Sequence, residues 1–99
     1  MAGGRTNVGG NATILGSASV DTTGWVTTTA GGFNYYRDIT ISGVTSSMQA
    51  NVFFPPDASY TTAYTAQIGA CDAISGGIRV YSMKIPTATI TMQYIVYRS

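Results

Sequence analysis

The sequence contains no histidine and no glutamate, and its single cysteine is Cys71. These absences exclude whole classes of chemistry. Without histidine there is no imidazole general base, no histidine-based nucleophilic triad and no histidine-ligated metal. One thiol can neither close an internal disulfide nor build a thiolate zinc site, and the bland reading of Cys71 is a small buried apolar residue. The acids are Asp21, Asp38, Asp57 and Asp72. They show no D-x-D spacing for calcium, and turn, cap or ion-pair roles account for Asp21, Asp57 and Asp38. The run GGRTNVGG lacks the GK[ST] ending of a phosphate loop. No catalytic, cofactor or metal residues are assigned, and the chain is read as a non-enzyme.

Charge of either sign is scarce. Charged residues make up 9% of the 99 residues and the net charge is +1, against about 25% charged in typical soluble domains. A basic stripe for nucleic acid is missing, so no nucleic-acid partner is expected. No apolar run reaches the length of a membrane span, and Met1 to Ala12 lacks the apolar segment of a secretory signal. The expectations are synthesis in a cytoplasm and no membrane partner.

What the chain does have is threonine, glycine and aromatics, including seven Tyr, three Phe and one Trp. Thr, Val, Ile and Tyr favour strands, and the lack of Glu argues against a helical bundle. Residues 1–11, rich in Gly and Asn, read as an N-terminal arm with Arg5, Asn7 and Asn11 as candidate assembly contacts. Residues 12–99 read as one domain. Strands are expected over 12–20, 25–29, 33–42, 48–56, 78–85 and 88–98, and the run 24–47 reads as a β-hairpin. In the last strand Ile90, Met92, Tyr94 and Val96 share one face. Ile95 and Tyr97 give the other face an apolar end, which predicts cover on both sides. Residues 57–73 change period, placing Tyr60, Ala63, Tyr64, Ile68 and Cys71 on one helical stripe, with Asp57 or Ser59 as N-cap. The fold class is mainly β (α+β): an antiparallel β-sandwich of about six strands with one short helix packed on it.

Trp25, Phe33, Phe53 and Tyr94 are read as covering a sheet core or a contact between identical subunits. Tyr35, Tyr36, Tyr81 and Tyr97 are the surface aromatics, and with Trp25 they are the candidate interface or ligand residues. A charge-poor, Tyr-rich surface suits subunit contacts, whose centres are depleted in charge.

The phrases Gly24-Trp25, Tyr36-Arg37 before ITISGVT (Ile39 to Thr45), and YSMKIPTATITMQYIVYR (Tyr81 to Arg98) resemble a small β domain of structural proteins of tailed bacteriophages and prophages. That domain occurs in tail-fibre, baseplate and head-fibre proteins. The resemblance implies a non-enzymatic virion component, a head decoration, head-fibre or tail-fibre part. It also implies a homo-oligomer, with a trimer favoured, and other virion proteins as partners. The alternative is a receptor-binding module that recognises host-surface carbohydrate through exposed Tyr and Trp. It is favoured if Tyr35, Tyr36, Tyr81 or Tyr97 form an exposed cluster with polar groups nearby.

Overall fold

A computed structural model describes residues 13–97. The arm residues Arg5, Asn7 and Asn11, and also Arg98, lie outside the described residues. Among the described residues seven strands, one α-helix and one 3-10 turn follow in the order β1 (Ile14–Val20), β2 (Val26–Thr27), the 3-10 turn Ala30–Gly32, β3 (Tyr35–Thr40), β4 (Gln49–Phe53), α1 (Ala58–Ala66), β5 (Ile68–Ile74), β6 (Gly77–Ser82) and β7 (Ile90–Tyr97). They form two antiparallel sheets, one ordered β1-β7-β4 and the other β2-β3-β6-β5. The hairpin expected from residues 24–47 is present, with Val26 opposite Tyr36 and Thr27 opposite Tyr35.

The inward faces of the sheets supply a shared core. Ile90, Met92 and Val96 of β7, Val20 of β1, Ile39 of β3, Ile78 and Val80 of β6 and Ala73 of β5 are all buried in it. Alternation explains the selection: on β7 the period of two sends Ile90, Met92, Tyr94 and Val96 in and Thr91, Gln93, Ile95 and Tyr97 out. Two glycines let neighbouring strands within a sheet close up. A Cβ at Gly16 would stand 2.5 Å from the Tyr94 hydroxyl, so its absence lets that ring lie flat on β1. At Gly77 a Cβ would stand only 1.9 Å from the Ile39 carbonyl oxygen, a position no side chain can take.

The helix differs from expectation in length and in orientation. It ends at Ala66, because Gln67 takes a left-handed conformation (φ 57°) and closes it. The Ala66 carbonyl then accepts the amides of Met83 and Lys84, at 3.2 and 3.1 Å. At the other end the Asp57 side chain caps the Ser59 amide at 2.8 Å. Ala63 and Ala66 are buried, whereas Tyr60 and Tyr64 point outward and stack on each other, ring centroids 6.2 Å apart. The close-packed face is therefore the one with small side chains, which lets the helix approach β7 and β5. Ser59 adds a link across this contact, its hydroxyl accepting the Thr91 amide at 3.0 Å.

Ile68 and Cys71 belong to β5, a seventh strand where the helical stripe was expected to continue. A bulge at Gly69 is the reason. Ile68 faces Ser82 and Ala70 faces Tyr81, so one residue is looped out between them. The inward residues of β5 are consequently Ile68, Cys71 and Ala73, a spacing of three then two that imitates a helix at its start.

Candidate functional site

The outer face of the four-stranded sheet gathers most of the polar and aromatic groups that could recognise a partner. Cross-strand register builds it in two rows. Val26, Tyr36, Tyr81 and Ala70 lie side by side on β2, β3, β6 and β5, and Asp38, Arg79 and Asp72 form the neighbouring row on β3, β6 and β5. In the aromatic row the Tyr36 and Tyr81 rings are 6.3 Å apart, and Phe33, from the loop before β3, lies 5.8 Å from Tyr81 at a 35° tilt. Phe33 reaches this position over the bulge, where a Cβ on Gly69 would stand 3.0 Å from its ring.

In the second row Arg79 makes a two-pronged pair with Asp38, Nε to Oδ1 at 2.7 Å and Nη2 to Oδ2 at 3.1 Å. Its guanidinium also lies over the Tyr36 ring, 4.2 Å from the centroid. The hydrogen bond to Asp38 is the main reason that the Arg79 pKa lies above its already high ordinary value. Asp72, the other flank of Arg79, makes no ion pair among the described residues. The ionic row holds two carboxylates and one guanidinium, and so carries one net negative charge.

Two shallow depressions adjoin these rows. One, of about 220 Å³, is lined by Ala30, Gly31, Phe33, Ala70, Asp72 and Tyr81. The other, of about 580 Å³, lies on the far side of Phe33, between Tyr64, Gln67, Ile68, Gly69 and Met83. A third, of about 400 Å³, lies in the seam where the edge strands β4 and β5 meet. There the Cys71 thiol donates to the Ala50 carbonyl at 3.4 Å. Burial, then the nearby Asp72 charge, pushes the Cys71 pKa up, partly offset by the Val52 backbone.

The outer face of the three-stranded sheet is different. Register places Leu15, Ser17 and Ser19 of β1, Thr91, Gln93, Ile95 and Tyr97 of β7, and Gln49, Asn51 and Phe53 of β4 on it. It carries no charged side chain. Leu15 is 66% exposed, Phe53 46% and Tyr97 45%. Among the described residues no element covers Ile95 and Tyr97 on that face, and the neighbouring strands β1 and β4 flank Ile95 in the plane of the sheet.

The five candidate aromatics therefore separate. Tyr36 and Tyr81 come together on one outer face, Tyr97 lies on the other, and Tyr35 faces inward, paired with Ser82. Trp25 packs against the core, its indole N–H donating to the Asp21 carbonyl at 2.8 Å. The loop it anchors is held from the other side by Arg37, whose Nε donates to the Thr23 carbonyl at 2.8 Å. Of the aromatics assigned to the core or to subunit contacts, Tyr94 packs against the core, but Phe33 and Phe53 stand on opposite outer faces.

Among the described residues no cluster of His, Cys, Asp or Glu could hold a metal ion, and no helix is long and apolar enough to cross a membrane. No protein-family model matches this chain, and no curated protein or solved structure does either.

Proposed function

We propose that this chain is a non-enzymatic structural component of a bacteriophage virion, a head decoration, head-fibre or tail-fibre part, and that it works by assembling with copies of itself. The observation that carries the reading is the outer face of the three-stranded sheet, where Leu15, Phe53, Ile95 and Tyr97 lie among Ser, Thr, Asn and Gln with no charge. Large apolar side chains exposed together on an uncharged sheet face suit a subunit contact, whose centre excludes charge and favours aromatic side chains. A second copy is the partner chosen because an uncharged, self-similar face has nothing to complement in a charged partner. The resemblance of Gly24 to Arg98 to phage structural domains supplies the setting, and a trimer is the assembly that it favours.

Sedimentation of the full chain across a concentration series tests the reading. A trimer or other defined oligomer is expected, and Ile95→Asp should return it to monomer with its far-ultraviolet circular dichroism intact. A wild-type monomer at high concentration would overturn it. Removal of residues 1–11 addresses the arm separately: the arm contributes if particle incorporation falls while the oligomer persists. Stoichiometric recovery of the chain in purified particles tests the virion assignment.

A further inference from the structure

We propose that the outer face of the four-stranded sheet is a carbohydrate-binding site for neutral pyranose oligosaccharides, in which Phe33 and Tyr81 form a stacking platform and Asp72 accepts hydrogen bonds from sugar hydroxyls. This gives the carbohydrate-recognition alternative a specific site and sugar class, on the side of the sandwich opposite the proposed subunit contact, and does not depend on that contact.

Three features select a sugar over other ligands. The first is the shape of the platform. Phe33 and Tyr81 lie side by side at a 35° tilt, centroids 5.8 Å apart, and both line the 220 Å³ depression. That is a shallow, open surface, suited to the flat apolar C–H face of a pyranose and not to enclosing a compact cation. The second is the polar rim. A pyranose directs hydroxyl donors outward from its ring, and Asp72, at the margin of the same depression and without an ion-pair partner among the described residues, offers acceptor oxygens to them. The third is charge. Asp38 and Arg79 satisfy each other, which leaves the row with the negative charge of Asp72. Such a rim repels uronic acids, sialic acids and sulfated sugars, and accepts neutral or N-acetylated ones.

The site extends beyond a single ring. Phe33 also lines the 580 Å³ depression with Tyr64, Gln67 and Met83. The two hollows meet at that side chain, so an oligosaccharide crossing Phe33 contacts aromatic rings on both sides. The Asp38–Arg79 pair has a positioning role. Arg79 stacks on Tyr36, and Tyr36 supports Tyr81 from the far side.

The test is nuclear magnetic resonance titration of the full chain, with amide shifts followed as cellohexaose, chitohexaose and maltohexaose are added, and an oligogalacturonate as the anionic control. Saturable shifts at Phe33, Ala70, Asp72 and Tyr81 are expected with at least one neutral hexamer and not with the anionic one. Phe33→Ala and Tyr81→Ala should each weaken binding about tenfold, the scale of one aromatic contact. Asp72→Asn should bring the oligogalacturonate affinity up towards that of the neutral hexamer, a change of selectivity that a merely structural Asp72 would not produce. Phe33 stands outside the core cluster, so its variant remains informative if Tyr81→Ala proves unstable. The proposal is overturned if no neutral hexamer gives saturable shifts at millimolar concentration, if the anionic sugar binds better, or if both alanine variants bind like wild type. Because Phe33, Tyr81 and Asp72 are remote from Leu15 and Ile95 across the sandwich, loss of sugar binding with the oligomer intact separates this failure from failure of the assembly reading.

Discussion

The two outer faces of this sandwich are built from the same strand geometry and almost opposite chemistry. On the three-stranded sheet, outward positions hold Leu15, Phe53, Ile95 and Tyr97 among uncharged polar residues. On the four-stranded sheet they hold Tyr36 and Tyr81 beside Asp38, Arg79 and Asp72. Both are rich in large side chains, so hydrophobicity alone does not tell them apart. Charge does. A surface that will be desolvated against protein cannot afford unpaired ions, whereas a surface that holds a small polar ligand in water can use them. Four of the nine charged residues in the sequence stand on β3, β5 and β6: Asp38, Asp72 and Arg79 lie on the proposed ligand face and Arg37 is directed to the other side of β3, while among the described residues none stands on the outer face of the three-stranded sheet.

The largest effect is expected where both faces fail together. Gly77→Ala places a Cβ against the Ile39 carbonyl, between two neighbouring strands of the four-stranded sheet whose inward side chains belong to the core shared by both sheets. The strands β3 and β6 must then separate, and a loss of more than about 3 kcal/mol is expected, enough to unfold much of a domain of this size. Urea denaturation measures it; a midpoint within error of wild type would show that close pairing of β3 and β6 is not needed to hold the shared core together.

Next in size is a charge moved from one face to the other. Ile95→Asp buries an unpaired carboxylate in the proposed subunit contact and should weaken association about a hundredfold or more. Tyr36→Asp puts the same charge on the other face and should leave association unchanged. Equal effects of the two substitutions in sedimentation would erase the distinction between the faces.

The sequence carries the layers of this fold more clearly than their order. Alternation along Ile90 to Val96 names the core side of β7, and Asp57 marks the start of the helix. Register between distant strands is not written locally. Asp38 meets Arg79 and Tyr36 meets Tyr81 only because β3 pairs with β6, a partner 41 residues along the chain. Tyr36 and Tyr81 were recognisable as surface aromatics one by one, but their shared site was not. Phe33 looked like a core residue because Gly69, the bulge that seats its ring, also breaks the period of β5 and makes Ile68 and Cys71 look helical. The outward alternation Tyr36-x-Asp38 against Arg79-x-Tyr81, an aromatic and opposite charges in mirrored order, is the signal that would have suggested pairing of those two strands.

A smaller effect is expected from Arg79→Met, which removes the Asp38 pair and the contact with Tyr36 while keeping the length of the side chain. Both interactions are partly exposed to solvent, so each is discounted for screening, and together they are worth about 1 kcal/mol. That corresponds to a fall of about 4–8 °C in Tm. Association through the opposite sheet should not change. A drop in Tm several times larger would mean that the ionic row helps to hold the sheet together and is not a surface feature of the ligand face alone.

The smallest effect belongs to the seam between the two sheets, where Cys71 on β5 reaches the Ala50 carbonyl on β4. Its pKa is raised above the ordinary 9.0 by burial and then by Asp72. A raised folded-state pKa means that the folded chain holds the thiol proton more tightly than the unfolded chain does. The stabilisation is fully present below pH 9.0 and is lost as pH rises through the folded value. Stability measured in urea should therefore be level from pH 7 to about 8 and decline above about 9, and Cys71→Ala should remove this part of the decline. Iodoacetamide should label the folded chain more slowly than the urea-unfolded chain at the same pH, because the thiolate is the reactive form. Equal labelling rates would mean that the seam opens freely and that the two sheets, with their two faces, move independently at that edge.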